Sequence, residues 1–463
     1  MEKKIINCVF NTIVKGRIKR KLISKKSIEE DKMKENMLDW TIQDIVTKYP
    51  ETLEVFSNNG FEVFADEEVI NELGAILKLK TALRAKQIGA EAFLNLLDEK
   101  IADVTNTNNL LTSMVDNNSG RFNFVAQIPC GLKVPLEREL QSIFQQVQKN
   151  SEEPINYYTG ACCNDLLHLN EWIPHFMNID EVPDMVLTKG YHFFNKNFIE
   201  RFIKPGYFVT PQSQLINNQM ADIDIGDKEE NYHVVGLTTN VMVVDKSRLG
   251  DLSMPRTWGD LLKPEYERKV LMNTYGDTFS DVVLLNIYKE FGDAGIEALG
   301  RAIHSGSHAS QMIKGMASRK ADVPPIYIMS HFFANAISNS DNIEIVWPED
   351  GALVMPLFFM VKADKAEKLK DLVDFVSSSR FGQLCADAYF PSLHPDVNNK
   401  LAANAKFKWL GWDFIKENDV EELVEKLNKQ CWESYSAKGG QANNSSPACG
   451  CNSGKESLKT QSI

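Results

Sequence analysis

The chain has 463 residues, of which 43% are hydrophobic and 25% are charged, as is usual for a globular protein with a full apolar core. At roughly 100–200 residues per domain, this length predicts more than one domain. The net charge of −12 argues against a general nucleic-acid-binding protein, and no apolar run reaches the ~18 residues of a transmembrane helix.

The first 37 residues are predicted to form a flexible, basic leader. They carry 11 Lys/Arg against 5 Asp/Glu, and their short apolar stretch lacks the small-residue cleavage site of an export signal. The eight cysteines have irregular spacing, which indicates no disulfide framework and agrees with a reducing compartment. Together these features predict a cytoplasmic protein whose leader is either a solvated tail or in contact with a membrane surface.

A small all-α domain is predicted over residues 38–104. Thr41 is a candidate N-cap, with Asp44 in the capping-box position three residues later. Pro50 opens a second short helix, and residues 67–85 and 90–104 are predicted as two longer ones. The polar, Asn-rich residues 105–120 are then predicted to be a linker.

This first domain resembles a small helical domain of unknown function that also precedes iron–sulphur repair proteins and some ABC-type binding proteins. That family usually carries cysteines after the glycine that ends its second helix. Here Phe61 and Phe64 follow Gly60, and no cysteine is present. The difference favours packing or docking to a partner over a metal or redox role.

Residues 121–232 contain three strand–loop–helix units. The strands are predicted at residues 122–128, 155–158 and 185–187, and this alternation predicts an open, mostly parallel sheet. In such sheets ligands bind beyond the carboxyl ends of the strands, beside helix N-termini. The loops at those ends are Pro129 to Lys133, Gly160 to Cys163 and Lys189-Gly190.

Residues 233–346 begin with a buried strand that is interrupted at residues 236–240 by small and polar side chains. Such a strand is expected where a chain crosses between two lobes beside a ligand. The phrase PRTWGDLL follows at residues 255–262, and residues 347–351 read WPEDG before a hydrophobic strand. Helices complete the region 347–436, and the Gly/Ser/Asn-rich residues 437–463 are predicted to be a disordered tail.

This order of features resembles the type II solute-binding proteins of ABC transporters, above all the ferric-iron-binding branch. In that family a crossing strand precedes P-x-S/T-W-x-D-L-L, and Y-P-E-E-G precedes the return strand. The resemblance spans residues 122–379. It implies a two-lobed, periplasmic-binding-protein-like α/β fold with a hinge, preceded here by the all-α domain.

The resemblance also implies a function: non-catalytic capture of iron, another metal or a small anion between the two lobes, with an ABC permease as partner. It gives an extracytoplasmic location as the alternative to the cytoplasmic one. No nucleophile, Walker or dinucleotide motif is present, so no enzyme is predicted. No cofactor is predicted other than a bound metal ion.

The predicted ligand-binding residues lie in the loops of both lobes and on the crossing strand. They are Cys130, Gly131, Lys133, Gly160, Cys162, Cys163, Lys189, Gly190, Thr238, Thr239, Asn240, Tyr275, Thr278, Ser307, His308, Ser310, Gln311 and Tyr327. For any one cysteine, burial as a small hydrophobe is the simpler interpretation. Two cysteine-bearing loops at ligand-facing positions nevertheless raise the prospect of a thiol on the ligand.

Three features leave the ligand open. Ferric-binding relatives commonly use a Tyr-Tyr pair, whereas this chain has Tyr327 followed by Ser330-His331-Phe332-Phe333, so ferric coordination of the usual kind is in doubt and Tyr327 fits packing. Cys449 and Cys451 in the tail are a weak candidate for a soft-metal arm. The alternative function is therefore a cytoplasmic protein that senses or delivers a metal or sulphur species through its cysteines.

Overall fold

The structure is a computed structural model, and it describes residues 37–104 with short gaps, 122–149, 155–161, 173–275, 278–307, 309–316, 323–337 and 341–437. The chain divides into two compact units, the first ending at Asn109 and the second beginning at Leu110. Within the described residues, no helix is long and apolar enough to cross a membrane.

The main helices and strands have the following bounds. The helices are α1 (Ile42–Lys48), α2 (Thr52–Asn58), α3 (Leu79–Lys86), α4 (Cys130–Lys149), α5 (Asp281–Ala302), α6 (Ala309–Met316), α7 (His331–Asn335), α8 (Lys370–Val376), α9 (Ser379–Asp387), α10 (Trp412–Glu417) and α11 (Val420–Ala437). The strands are β1 (Phe124–Ile128), β2 (Tyr157–Ala161), β3 (Met185–Lys189), β4 (Phe208–Val209), β5 (His233–Asp245), β6 (Val270–Tyr275), β7 (Thr278–Phe279), β8 (Ile303–Ser307), β9 (Ile326–Ser330), β10 (Ile343–Val346), β11 (Ala352–Lys362) and β12 (Phe407–Trp409).

The first unit begins with the predicted capping box. The Thr41 hydroxyl accepts from the backbone N–H of Asp44 at 3.1 Å, and the Asp44 carboxylate accepts from the Thr41 N–H at 3.2 Å. The single helix predicted over residues 67–85 is wrong. A helical turn (Glu67–Val69) widens into a π-type turn (Ile70–Gly74) before α3, because the break lets Leu77 and Leu79 form backbone hydrogen bonds with Ile42 and Trp40.

Aromatic rings fill the core of the first unit. Phe56, Phe61, Phe64 and Phe93 are each at most 3% exposed, and the ring centroids of Phe56 and Phe93 are 5.4 Å apart. Phe61 and Phe64 are the residues for which the sequence predicts packing or docking in place of cysteines. Their burial shows that this stretch packs the core, as the sequence predicted.

The second unit is built on one mixed sheet of twelve strands within the described residues, with the order β2-β1-β3-β11-β5-β9-β6-β7 along its main path. One lobe holds the parallel strands β1, β2 and β3, and the other holds the parallel strands β6, β8 and β9. Strands β5 and β11 lie between them and are buried along their whole lengths. This is the predicted two-lobed α/β architecture.

The crossing strand β5 is continuous, so the predicted interruption at residues 236–240 is wrong. Its first half pairs with β11, whose far end pairs with β3 of the first lobe, and its second half pairs with β9 of the second lobe. The irregularity lies in the partner instead, where the register shifts between Leu357 and Phe358. Strand β5 can include polar residues because its backbone N–H and C=O groups have hydrogen-bond partners in the neighbouring strands.

A returning segment covers the open side of β5 where the lobes part. The Pro391 carbonyl accepts a hydrogen bond from the Leu237 N–H, and the Leu393 N–H donates to the Val235 carbonyl. Gly236 forms an isolated bridge with Ser392, and a Cβ there would make a tight contact of 3.3 Å with the Pro391 oxygen. Residues 390–393 therefore sit at the base of the space between the lobes.

The PRTWGDLL phrase forms a helix cap. The Asp260 carboxylate accepts from the backbone N–H groups of Arg256 and Thr257, each at 2.9 Å, and Trp258 is 1% exposed. The Trp258 indole donates to the Gly351 carbonyl at 2.8 Å, which ties this turn to the WPEDG segment. The two motifs that carry the family resemblance thus stabilise the fold.

Candidate ligand cleft between the lobes

A narrow cleft of about 60 Å³ lies where the two lobes and the crossing strands meet. Its lining comes from elements that are distant in sequence. The residues are Pro129, Cys130, Lys189, Thr238, Asn240, Asn273, Ser280, Asp281, Val282, Ser330, Phe332, Phe333, Met355 and Phe390. This volume suits an ion or a very small molecule.

The first lobe contributes the N-terminal end of the 20-residue helix α4 and the end of β3. Pro129 and Cys130 line the cleft where β1 passes into α4, and Cys130 is partly buried. Pro suits this position because its missing N–H is not needed at a helix start. Lys189 adds a positive charge from the last position of β3.

The crossing strands contribute Thr238, Asn240 and Met355. Side chains alternate along a strand, so Thr238 and Asn240 share one face while Thr239 points to the other. Thr239 is 1% exposed, its hydroxyl has no hydrogen-bond partner, and it is absent from the cleft lining. The sequence predicted Thr239 as a site residue because residues 236–240 were interpreted as an interruption of the strand.

The second lobe contributes the N-terminal end of α5, which is interrupted by a kink at Gly292. Ser280, Asp281 and Val282 line the cleft, and the Ser280 N–H donates to the carbonyl of Asn273 on the preceding strand β6. Asn273 is 7% exposed, and its side-chain Oδ1 has no hydrogen-bond partner. A buried, unsatisfied amide oxygen beside a cleft is an acceptor that a hydrogen-bond donor on a ligand would satisfy.

Opposite charges face each other across the cleft. Burial lowers the pKa of His192 below its usual value. Asp281 opposes this shift and Lys189 adds to it, both by smaller amounts. Burial, with a smaller contribution from Asp281, raises the pKa of Tyr191 well above its usual value. The cleft therefore holds a lysine, a carboxylate and two neutral neighbours at pH 7.

Phe332 of the second lobe closes the cleft against Gly131 of the first. A Cβ on Gly131 would lie 2.4 Å from Phe332 Cε2, which is closer than any packed carbon pair. Phe332 also stacks on Phe390, with ring centroids 5.6 Å apart. The predicted site residue Gly131 thus serves the approach of the lobes, since only glycine leaves room for this ring.

Several other predicted residues lie outside the cleft lining. Lys133 is 7% exposed on α4, and Tyr327 is fully buried on β9, where burial raises its pKa to about 12. Gly160 belongs to β2 and Ser307 to β8, so both lie in strands where the sequence predicted loops. The Ser307 hydroxyl donates to Gln311 Oε1 at 2.9 Å.

The remaining predicted residues are adjacent to the cleft or beyond what the structure describes. Gly190 follows Lys189 with a φ of +108°, and Thr278 lies in β7. Cys162, Cys163, His308, Cys449 and Cys451 fall outside the described residues, as do the side chains of Tyr275 and Ser310. The described residues bring together Cys130, Lys189, Thr238 and Asn240 of the predicted set.

The sequence reasoning missed Asn273, Asp281, Phe332 and Phe390 as cleft residues. The sequence did hold a signal for Asn273 and Asp281. They lie near the carboxyl end of β6 and at the start of α5, and ligands of open α/β sheets bind beyond the carboxyl ends of strands. No local signal could have found Phe390, whose position depends on the returning segment. Among the described residues, no group of three or more His, Cys, Asp or Glu side chains could hold a metal ion.

Residues 180–418 match the model of a family described as bacterial extracellular solute-binding protein. Residues 37–94 match a second family, described only as a domain of unknown function. No curated protein matches the sequence significantly.

Solved structures with a similar fold include a Bordetella ferric binding protein, which is 17% identical, with 70% of this chain and 100% of that chain covered and a TM-score of 0.43. A Trichodesmium protein in complex with iron and citrate is 12% identical, with coverages of 69% and 100% and a TM-score of 0.46. A Clostridium perfringens ABC transporter structure is 16% identical, with coverages of 66% and 99% and a TM-score of 0.47. These low TM-scores leave the family match to rest on the sequence model.

Proposed function

This chain belongs to the bacterial extracellular solute-binding proteins, and we propose that it captures a small anion between its two lobes. The lobes are the two halves of the sheet on either side of β5 and β11. Capture itself needs no chemical step, in keeping with the prediction that the chain is not an enzyme. An ABC permease is the partner that we propose for release of the ligand.

The predicted cytoplasmic location is wrong. The family to which residues 180–418 belong is extracellular. The prediction depended on the absence of a recognisable export signal in the leader and on the scattered cysteines, neither of which is specific enough to outweigh a family match over half of the chain.

The observation that carries the proposal is the meeting of two long helix N-termini, one from each lobe, at the same cleft. Helix α4 begins at Cys130 and α5 begins at Asp281, and both ends line it. The helix dipole places partial positive charge at such an end. At α5 the N–H groups of Ser280 and Val282 already donate to the Asn273 carbonyl and the Asp281 carboxylate, so there the dipole remains the attraction. Lys189 adds a full positive charge, so the cleft favours an anion that also accepts hydrogen bonds.

Neutral polar groups complete such a site. Thr238 and Asn240 project from the crossing strand, and the unpartnered Oδ1 of Asn273 is an acceptor that would take a hydrogen bond from an O–H of the anion, such as that of hydrogen phosphate or bicarbonate. The volume of about 60 Å³ limits the ligand in this state to something of the size of phosphate, carbonate or a short carboxylate. A larger ligand would require the lobes to separate by hinge motion.

The direct test is titration calorimetry of the purified full chain with inorganic phosphate, bicarbonate and acetate. We expect one of them to bind with a stoichiometry of one. The Lys189→Met variant should bind that anion at least tenfold more weakly, since a charge-assisted hydrogen bond contributes about 1.5–3 kcal/mol. Lys228→Met, at an exposed lysine paired only with Asp224, is the matched control and should bind as the parent does.

Two results would contradict the proposal. One is the absence of binding for all three anions, and the other is equal binding by the parent and Lys189→Met proteins. In the second case the anion would sit elsewhere on the surface. A variant with both changes, Lys189→Met and Lys228→Met, checks that the two effects are independent.

A soft metal ion is the second candidate ligand, and one observation favours it. Cys130 lines the cleft together with Asp281, so a thiol and a carboxyl group face the same space. Elemental analysis of protein purified without oxygen, beside a Cys130→Ser variant, separates the candidates. Stoichiometric metal that disappears in the variant would support metal capture, whereas metal-free protein that binds an anion would support the first proposal.

A further inference from the structure

A second and much larger cavity lies in the same unit, away from the cleft. Its volume is about 510 Å³, within the roughly 300–1,000 Å³ of ordinary small-molecule sites. Its walls come from residues 194–206, from the loop 227–232 and from α10 with the two residues that follow. None of these described residues lines the cleft, so the two spaces are separate sites.

The floor of this cavity is aromatic and apolar. Phe194, Tyr232 and Trp412 form it, with Ile203 and Ile415 beside them. The Tyr232 and Trp412 rings stack at a centroid distance of 5.6 Å, and Phe194 meets Trp412 edge to face at 5.4 Å. Phe194 is 0% exposed, Tyr232 5% and Trp412 9%, so protein atoms cover most of these rings and Trp412 reaches the cavity most.

The polar atoms of these rings are used by the fold. The Trp412 indole donates to the Ile225 carbonyl at 3.0 Å, and the Tyr232 hydroxyl donates to the Phe193 carbonyl at 3.0 Å. Because both polar atoms already have partners, the small part of these rings that reaches the cavity is apolar. A ligand with only hydrogen-bonding groups would gain little from this floor.

The rim is charged, and its balance is acidic. Five carboxylates, from Glu200, Asp227, Glu229, Glu417 and Asp419, face three ammonium groups, from Lys196, Lys204 and Lys416. Lys204 pairs with Glu200 at 2.5 Å and Lys416 with Glu229 at 2.6 Å. Among the described residues Glu417 and Asp419 form no ion pair, so negative charge remains at this edge.

We propose that the cavity is a second binding site, for a small organic cation with an aromatic or apolar body. The carboxylates of the rim attract the cation, and the apolar wall of the cavity, with the accessible part of Trp412, buries its body. The acidic rim excludes anions, which are the ligands expected in the cleft. A protein of this kind would bind two solutes of opposite charge at independent sites.

The test uses benzyltriethylammonium, whose charge does not depend on pH, and 4-tert-butylbenzoate as an anionic probe of similar shape. Titration calorimetry of the full chain should show one site for the cation with a Kd of about 1 mM or tighter. The benzoate should bind at least tenfold more weakly. Addition of the anion that fills the cleft should leave cation binding unchanged.

Two variants locate the site. Glu417→Gln with Asp419→Asn should weaken cation binding about tenfold, whereas Glu425→Gln, at an exposed glutamate on α11 that does not line the cavity, should not change it. Ile203→Trp fills the cavity from its wall and should abolish binding. Circular dichroism checks that both variants are folded.

The proposal is overturned by equal affinity for the two probes, by cation binding that survives Ile203→Trp, or by no cation binding up to about 10 mM. The cleft proposal stands or falls separately, because its test uses anions and Lys189. Loss of anion binding with retention of cation binding, or the reverse, therefore identifies which of the two proposals has failed.

Discussion

The cleft and the cavity are two concave sites in one unit, and they differ in size and in lining. The cleft is small, at about 60 Å³, and its polar lining comes from both lobes. The cavity is large, at about 510 Å³, and its aromatic floor is held by hydrogen bonds within one side of the molecule. The size of the cleft depends on how closely the lobes approach, whereas the size of the cavity does not.

Because of this difference, ligand binding at the two sites should respond to different substitutions. A change at the lobe contact should alter ligand binding in the cleft and leave the cavity as it is. A change of exposed charge should act mainly on the cavity, since its rim is in solvent and the polar groups of the cleft are largely buried.

The largest effect is expected from Gly131→Ala. The new Cβ would lie 2.4 Å from Phe332 Cε2, and such overpacking costs about 1–3 kcal/mol. We expect the lobes to stay apart, with anion binding in the cleft weakened roughly thirtyfold in titration calorimetry. Binding of benzyltriethylammonium in the cavity should not change.

The control for this prediction is the double variant Gly131→Ala with Phe332→Leu. The smaller, flexible leucine makes room for the new methyl group and should restore part of the anion affinity. If Gly131→Ala binds the anion as tightly as the parent does, the contact with Phe332 does not govern closure. Small-angle scattering of the variant would then show an unchanged radius of gyration.

The second-largest effect is a loss of folding stability at acidic pH, caused by His331 beside the cleft. His331 lies between the cleft residues Ser330 and Phe332, and burial lowers its pKa from 6.5 to about 4. The unfolded chain therefore binds a proton at higher pH than the folded one, so stability falls as the pH drops from about 6.5 to 4. We expect His331 to contribute about 2 kcal/mol to this loss, which His331→Phe should remove in urea unfolding at several pH values.

His233 provides the comparison. Burial lowers its pKa to about 4 as well, but it stacks on Phe359 and is absent from the cleft lining. His233→Phe should flatten the pH dependence of unfolding without altering anion binding. A pH dependence that is unchanged in both variants would show that neither histidine is held neutral by the fold.

The third prediction is a gain of affinity from Asp281→Asn. The asparagine Oδ1 can still accept the hydrogen bond that Asp281 takes from the Val282 N–H at 2.7 Å. Removal of a negative charge from an anion site should tighten anion binding about fivefold in calorimetry, by the Coulomb energy at a partly solvated site. Weaker binding of a metal in the same variant would instead support the soft-metal candidate.

The smallest effect is that of salt on the cavity. An increase of sodium chloride from about 0.05 to 0.5 M shortens the screening length from roughly 14 to 4 Å. Because Glu200, Glu229 and Glu417 at the rim are exposed, cation binding should weaken about two- to threefold. Salt-independent binding would mean that the aromatic floor alone holds the cation.

Local patterns in the sequence predicted the elements that a few neighbouring residues control. Thr41 and Asp44 form the capping box that their spacing predicted. The alternation of strands and helices placed Cys130 and Lys189 at the carboxyl ends of β1 and β3, where the cleft lies. These features were predictable because caps and periodicity depend on hydrogen bonds and burial within one or two turns of chain.

Tertiary structure decided the rest. It turned Thr238 toward the cleft and Thr239 away, because β5 is a continuous strand with partners on both sides. It brought Phe390 beside Cys130, although 259 intervening residues separate them, through the return of residues 390–393 to the edge of β5. It also joined Trp412 to Phe194 and Tyr232 to form the cavity floor. No local pattern encodes these contacts, because they depend on the order of strands in the sheet.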